Sequence, residues 1–223
     1  MLVTFVFYFE YTVFGDRDVK IRIVQNLENK YTRQNAINIV PFVKVLRIDY
    51  KKQLNGNGKE LVNLGRLSER LGGITLIGAE SDNCGSIKKS IFVFEGAKLI
   101  AICDMNRAEE KYAPSFGYRI INFEGKKIGL IVDRDLFSPE AVKSLVNCGV
   151  SAIIDLYEGF LTIKVQVAVE FYAYVYVVDF VLVSQKTGVI FNAYGEEVEI
   201  KEECANIECQ AVYRELKCKK RGI

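Results

Sequence analysis

The fold is decided by one stretch of the sequence, Gly125-Lys-Lys-Ile-Gly-Leu-Ile-Val-Asp-Arg-Asp-Leu-Phe-Ser-Pro-Glu140. Residues 126–132 end in an apolar run that is typical of a buried strand. Ser138, Pro139 and Glu140 predict a helix with serine as N-cap and proline at the first position. A glycine at position 149 signals its end, and residues 151–156 form another apolar run. The sequence therefore predicts a strand, a tight turn, a helix and a second strand parallel to the first.

Helices and strands alternate on both sides of this stretch. Leucines recur at helical spacing from Leu61 to Leu71, and Gly72-Gly73 signals the end of that helix. The Glu124-Gly125 turn predicts a hairpin between residues 118–123 and 126–132. Other apolar runs predict strands at 1–9, 19–24, 74–79, 89–94, 98–103, 172–183, 189–194, 198–201 and 207–213.

Two segments have less regular patterns. Residues 33–46 have apolar side chains near helical spacing, but Pro41 predicts that any helix there is broken or begins late. The apolar segment from Leu161 to Val183 contains Lys164, Glu170 and Asp179, so it does not resemble a membrane span. The alternation of side chains along this segment predicts a strand.

Length, charge and cysteine content limit the functions open to the chain. A chain of 223 residues is long enough for one domain, which we assign to residues 1–223. The formal net charge is only +2, and the one basic run, at the C-terminus, does not predict a nucleic-acid-binding surface. The six cysteines form no Cys-x-x-Cys pair and histidine is absent, so we expect no metal site and no cofactor. With no secretory signal, we expect a cytoplasmic protein with free thiols and no membrane partner.

The central stretch resembles the motif of the nitrilase, or carbon-nitrogen hydrolase, superfamily, in which a strand delivers a cysteine to a sharp turn before a Pro-Glu helix start. Residues 8–15 are similar to the family's catalytic-glutamate segment, with Gly15 five positions after Glu10. Further similar segments follow in the family's order at 76–78, 90–96, 109–112 and 168–170. The resemblance implies an α/β protein with a four-layer α-β-β-α sandwich. Members hydrolyse carbon-nitrogen bonds through a cysteine thioester, with a glutamate base and a lysine that stabilises the oxyanion.

The resemblance places acidic residues at the family's catalytic positions. It maps the first glutamate to Glu10, the nucleophile to Asp133 and the lysine to Asp104, while Glu109 or Glu110 matches the second glutamate. An aspartate that attacked an amide would have to form an anhydride, a harder step than thiolate attack. A negative charge at the lysine position would repel the oxyanion. We therefore expect these sites to be non-functional and to face no shared cavity.

Other residues are alternatives for individual roles. A slip in the alignment would let Lys98 or Arg107 replace the lysine, although each is more simply a surface cation. Cys103 and Cys148 are better explained as buried structural thiols than as nucleophiles.

The chain also departs from the family in length. We expect it to lack the family's first strand and helix, and the spacing from Ile154 to Ala168 is too short for an intervening helix. Missing walls leave a poor substrate pocket. We expect a catalytically degenerate homologue, truncated at the N-terminus, with a binding or assembly role and an unidentified small-molecule ligand. The alternative is an active amide or nitrile hydrolase with a rearranged Glu/Asp site. An exposed sheet edge predicts a homo-oligomer.

Overall fold

A computed structural model describes residues 19–24, 35–42, 46–185, 187–198 and 204–207. These residues form strands and helices that alternate through most of the chain. The strands are β1 (Val19–Ile23), β2 (Ile37–Val40), β3 (Arg47–Asp49), β4 (Ile74–Asn83), β5 (Ser86–Glu95), β6 (Lys98–Asp104), β7 (Arg119–Phe123), β8 (Lys126–Val132), β9 (Ala152–Leu156), β10 (Asp179–Val183), β11 (Gly188–Phe191) and β12 (Cys204–Ile207). The helices are α1 (Tyr50–Leu54), α2 (Glu60–Leu71), α3 (Pro139–Asn147) and α4 (Ile163–Tyr176).

The strands form two mixed sheets. The first sheet has the order β12-β1-β2-β4-β5-β6, with β3 paired to the far part of β4. The second sheet has the order β11-β10-β9-β8-β7. Its three central strands are parallel, because crossovers through α3 and α4 connect β8 to β9 and β9 to β10.

Three apolar clusters hold four layers together. The central cluster lies between the sheets and joins residues such as Ile91 and Val93 of β5 to Leu130 of β8 and Ile154 of β9. A second cluster packs the opposite face of the second sheet against α3 and α4, and a third packs the first sheet against α2. The layers therefore follow the order helix, sheet, sheet, helix, as expected for the fold class.

The central motif has the predicted structure. β8 ends at Val132, a short 3-10 helix spans Asp133–Phe137, and α3 begins at Pro139. β9 then runs parallel to β8. One detail differs, because the hydroxyl of Ser138 donates to the Glu140 carboxylate at 3.2 Å instead of capping the helix backbone.

The strand prediction for residues 161–183 is wrong over most of its length. Residues 163–176 form α4, and only 179–183 form a strand. The buried residues Val165, Val169, Tyr172 and Ala173 recur at helical spacing on the side that contacts the second sheet. Apolar residues on the exposed side hide this period in the sequence. The same helix corrects the expectation that the spacing after Ile154 is too short for an intervening helix.

Residues 37–40 are a strand and not a late helix. β2 lies between β1 and β4, and all four of its residues are buried. A parallel strand covered on both faces carries a continuous apolar run without alternation, which explains the ambiguous pattern. Pro41 follows directly after the strand.

Some predictions fall outside the described residues. These are the strand at 1–9, the catalytic-glutamate segment with Glu10, and most of the strands at 198–201 and 207–213. Within the part of the chain that is described, no helix has both the length and the apolar character needed to cross a membrane.

Candidate active site

Asp133 occupies the sharp turn that follows β8. Its φ is 52°, in the left-handed region that a residue with a side chain rarely adopts, so the turn holds the aspartate in a strained conformation. The side chain is buried, and both of its oxygens are engaged. Oδ1 accepts a hydrogen bond from the backbone N–H of Glu158 at 3.0 Å, and Oδ2 accepts one from the ammonium of Lys89 at 2.5 Å.

Lys89 reaches this turn from the facing sheet. It lies on β5 two and four residues before Ile91 and Val93, so the alternation of the strand directs all three side chains into the space between the sheets. Its ammonium contacts Asp133 and also lies 2.8 Å from Glu158 Oε2. Only 5% of the Lys89 side chain and 4% of the Asp133 side chain are exposed, against 33% for Glu158. The three residues form an ion cluster that solvent reaches from the Glu158 side.

The charges of the cluster keep Lys89 protonated. Burial by itself lowers the pKa of the Lys89 ammonium, because the charged form loses its hydration. Hydrogen bonds and charges from Asp133 and Glu158 outweigh this effect, so the pKa of Lys89 is raised overall. One cation thus faces two carboxylates.

An aromatic side chain covers the ammonium on another side. The Tyr112 ring centroid lies 4.7 Å from Lys89 Nζ, within the range of a cation–π interaction. The Tyr112 hydroxyl donates to Glu80 Oε1 at 2.9 Å, which fixes the ring. Glu80 is held in turn by Arg47, at 2.6 Å, and by Lys111.

Two further acids lie behind the turn. Asp135 accepts hydrogen bonds from the backbone N–H groups of Asn106, at 2.7 Å, and Arg107, at 2.9 Å. Burial nevertheless raises the pKa of Asp135. Asp155 on β9 is fully buried, and burial together with the nearby Asp133 raises its pKa well above the ordinary value. Its surroundings therefore favour the neutral carboxyl over the carboxylate.

Asp104, at the mapped lysine position, does not join this cluster. It ends β6 directly opposite Ser90, whose hydroxyl donates to Asp104 Oδ1 at 2.7 Å. The ammonium of Lys88 lies 3.0 Å from its other oxygen. Lys88 and Ser90 face the helix side of the sheet, while Lys89 between them faces the other sheet. Asp104 and Asp133 are thus on opposite sides of the first sheet.

The other mapped residues either lie outside the ion cluster or belong to residues that the structure does not describe. Glu109 forms an ion pair with Nε of Arg134, the residue after Asp133, at 2.9 Å. Glu110 is exposed. Lys98 is exposed and pairs in register with Glu95 at the hairpin turn, and Arg107 is exposed. Neither cation occupies the cluster, and Glu10 belongs to the segment that is not described.

Sequence reasoning missed Lys89 and Glu158. The signal for Lys89 is a charged residue in phase with Ile91 and Val93, at a position where the strand alternation demands an apolar side chain. Glu158 follows β9 in an irregular segment, and no periodic pattern marks it.

The described cysteines are not poised for catalysis. Cys103 is buried, its Sγ lies 3.8 Å from the Leu130 carbonyl oxygen, and burial raises the pKa of its thiol to about 12. Cys84 and Cys148 are exposed, so the expectation of a buried thiol is correct for Cys103 and wrong for Cys148. Among the described residues, no group of three or more acidic or cysteine side chains has an arrangement that would hold a metal ion.

Comparisons with known proteins find the fold but no close relative. No protein-family model and no curated protein matches the chain. Among solved structures, it is similar to a carbon-nitrogen hydrolase from Helicobacter pylori, with a TM-score of 0.65, 13% identity, and 86% of this chain and 90% of that chain covered. An amidase from Nesterenkonia, solved with an acetamide moiety on its active-site cysteine, gives a TM-score of 0.67 at 9% identity, with coverage of 88% and 92%.

A glutamine-dependent NAD+ synthetase from Acinetobacter baumannii also matches. Its TM-score is 0.67 at 15% identity over 85% of this chain, and the chain spans only 45% of the synthetase. These structures, together with the layer order, show that the chain has the nitrilase-like α-β-β-α fold of the carbon-nitrogen hydrolase superfamily.

Proposed function

We propose that this protein is a catalytically degenerate homologue of the carbon-nitrogen hydrolases, with a role in binding or assembly. The observation that carries the proposal is the state of Asp133. The residue occupies the turn to which the nucleophile maps, and both carboxylate oxygens are engaged, one by Lys89 and one by the Glu158 backbone. A side chain held in this way is not available to attack a substrate.

The chemistry of the cluster supports the same conclusion. Attack by a carboxylate on an amide must form an anhydride and expel an amine, which is much harder than thioester formation. Lys89 is paired with two carboxylates, so its charge is not free to stabilise an oxyanion.

Steady-state hydrolysis by the full chain tests the proposal. We expect no release of ammonia from a panel of amides, nitriles and ureido acids, for the unmodified protein and for Asp133→Asn alike. Glu69→Gln, on the exposed face of α2, serves as the matched control for a carboxylate-to-amide change. Turnover that disappears in Asp133→Asn but persists in Glu69→Gln would establish the alternative, an active hydrolase with a rearranged site.

The outer face of α4 supports the assembly role. Ile163, Val167 and Phe171 are 78%, 53% and 58% exposed and follow one another at intervals of four residues, so they form a continuous apolar stripe that Tyr174 extends. An exposed stripe of this kind marks an interaction surface. The occupant we propose is a second copy of the chain, because an apolar stripe is complementary to itself across a two-fold axis.

A further inference from the structure

We propose that Lys89 and Asp133 condense into an amide, an intramolecular isopeptide bond between the two sheets, with Glu158 as the proton carrier. The inference uses the same ion cluster as the proposed function but goes beyond it. The site that matches a carbon-nitrogen hydrolase would form one carbon-nitrogen bond within its own chain.

The Lys89 amine and the Asp133 carboxyl group are close enough to react. Lys89 Nζ lies 2.5 Å from Asp133 Oδ2, which places the nitrogen at about 3 Å from the carboxyl carbon, a near-attack separation. Groups held in this way react with effective molarities of about 10⁵ M or more, which offsets the unfavourable condensation of an amine with a carboxylic acid in water. The strained turn at Asp133 and the alternation of β5 fix both partners.

The reactive forms of the two groups are the neutral amine and the neutral acid. An ammonium and a carboxylate do not react as ions, since the nitrogen has no free electron pair and the carboxylate carbon is a poor electrophile. Transfer of one proton from Lys89 to Asp133 gives a neutral pair, which loses less hydration than the two ions do in a site with only 4–5% side-chain exposure. The ion pair remains the resting state, so we expect one slow turnover per molecule.

Glu158 is placed to accept and return the proton that must move from the Lys89 nitrogen to the leaving oxygen of Asp133. Its Oε2 lies 2.8 Å from Lys89 Nζ, and its backbone N–H donates to Asp133 Oδ1, where negative charge develops during the attack. Its partial exposure offers a path by which water can leave.

The atoms and charges of the reaction balance. The Nζ electron pair of neutral Lys89 attacks the carboxyl carbon of protonated Asp133, and the carbon-nitrogen bond forms. Glu158 accepts a proton from Nζ and returns it to the hydroxyl of the tetrahedral intermediate. The carbon-oxygen bond then breaks, one water leaves, and Glu158 regains its original charge. No oxidant, metal or nucleotide is consumed.

The cross-link would have a clear structural effect. Lys89 and Asp133 are 44 residues apart in sequence and belong to different sheets, so the bond would close a long loop and tie the two halves of the sandwich together. Closing such a loop restricts the unfolded chain. The Tyr112 ring, 4.7 Å from Nζ, shields the bond from water.

Mass spectrometry of the purified, reduced and denatured full chain tests the proposal. We expect an intact mass lower by one water than the mass calculated from the sequence. A tryptic digest should contain a branched peptide that joins residues 89–98 to residues 128–134, because trypsin does not cleave after an acylated lysine. Lys89→Arg, which keeps the positive charge but lacks a primary amine, should have its full calculated mass. Lys88→Arg, one residue away, should still lose one water.

Glu158→Gln tests whether bond formation needs Glu158 as a proton carrier or needs only the close contact between Lys89 and Asp133. We expect this variant to form the bond at least tenfold more slowly, as followed by intact mass over days after expression. Full mass in the unmodified protein, or a water loss located at another pair of residues, would overturn the inference. Hydrolysis of amides by a fully cross-linked protein would instead overturn the proposed function alone, so the two results are distinguishable.

Discussion

Lys89 and Asp104 lie on opposite faces of the same sheet, although Asp104 pairs directly with Ser90, the residue next to Lys89. Lys89 is held between the sheets by Asp133 and Glu158, whereas Asp104 is bound on the helix side by Ser90 and Lys88. The site therefore contains a cation, but it comes from β5 and not from position 104, to which the sequence resemblance maps the family lysine. On the helix side one cation faces one carboxylate, whereas between the sheets Lys89 faces two carboxylates.

Removal of Lys89 should destabilise the fold strongly. Lys89→Met leaves the buried Asp133 carboxylate without its counter-charge, and breaking one side of a buried pair costs about 3–5 kcal/mol. Relative to protein of full calculated mass, in which the Lys89–Asp133 cross-link has not formed, we expect the free energy of unfolding, measured with urea at neutral pH, to fall by at least about 3 kcal/mol. Lys88→Met is the matched control, because the Lys88–Asp104 pair is more exposed and should contribute about 1 kcal/mol or less. Equal losses in the two variants would contradict the assignment of Lys89 as the central cation.

The buried carboxyl group of Asp155 predicts a pH dependence of stability. Its pKa in the folded state is raised well above the ordinary 3.8, so the folded protein retains a proton that the unfolded chain releases. The contribution of Asp155 to stability is fully present below its unfolded pKa and is lost as the pH rises toward its folded pKa, by up to about 1.4 kcal/mol per pH unit. Urea unfolding of Asp155→Asn from pH 4 upward should show a smaller fall. The exposed Glu69→Gln variant should keep the wild-type slope.

The sequence predicted the fold better than the site. The unit from residue 126 to 156 was predictable because apolar runs, Pro139 and Gly149 each have a local structural meaning. α4 was missed because its exposed side carries Val167, Phe171 and other apolar residues, so polarity did not mark its surface. The Lys89–Asp133 pair joins residues that are far apart in sequence, and only the packing of one sheet on the other reveals it. A residue-by-residue match to the family also could not show that the Asp104 side chain lies on the helix side of the first sheet, away from Asp133.

The stripe on α4 should mediate self-association. We expect light scattering at micromolar concentration to give the mass of a dimer or a larger assembly for the unmodified chain. Val167→Lys places a charge at the centre of the stripe and should shift the protein to a monomer, because burial of an unpaired ammonium is costly. Lys143→Glu, an exposed change on α3, should leave the mass unchanged. A monomeric unmodified protein, or assembly that persists in Val167→Lys, would exclude this surface.

A cysteine introduced at position 133 should become a reactive thiolate without any change at Asp104. In Asp133→Cys the new thiol replaces a carboxylate that contacts the Lys89 ammonium, and a cation at this distance stabilises the thiolate over the thiol. We expect alkylation by iodoacetamide at neutral pH to be about tenfold faster than in Asp133→Cys/Lys89→Met, since one pKa unit changes the thiolate fraction about tenfold. Adding Asp104→Lys should have little further effect, because that side chain lies on the helix side of the sheet. Peptide mapping would separate the introduced thiol from the exposed Cys84 and Cys148, which serve as internal references. If Asp104→Lys accelerated the alkylation and Lys89→Met did not slow it, the cation of the site would be at the position of the family lysine, and the geometry described for Lys89 would be wrong.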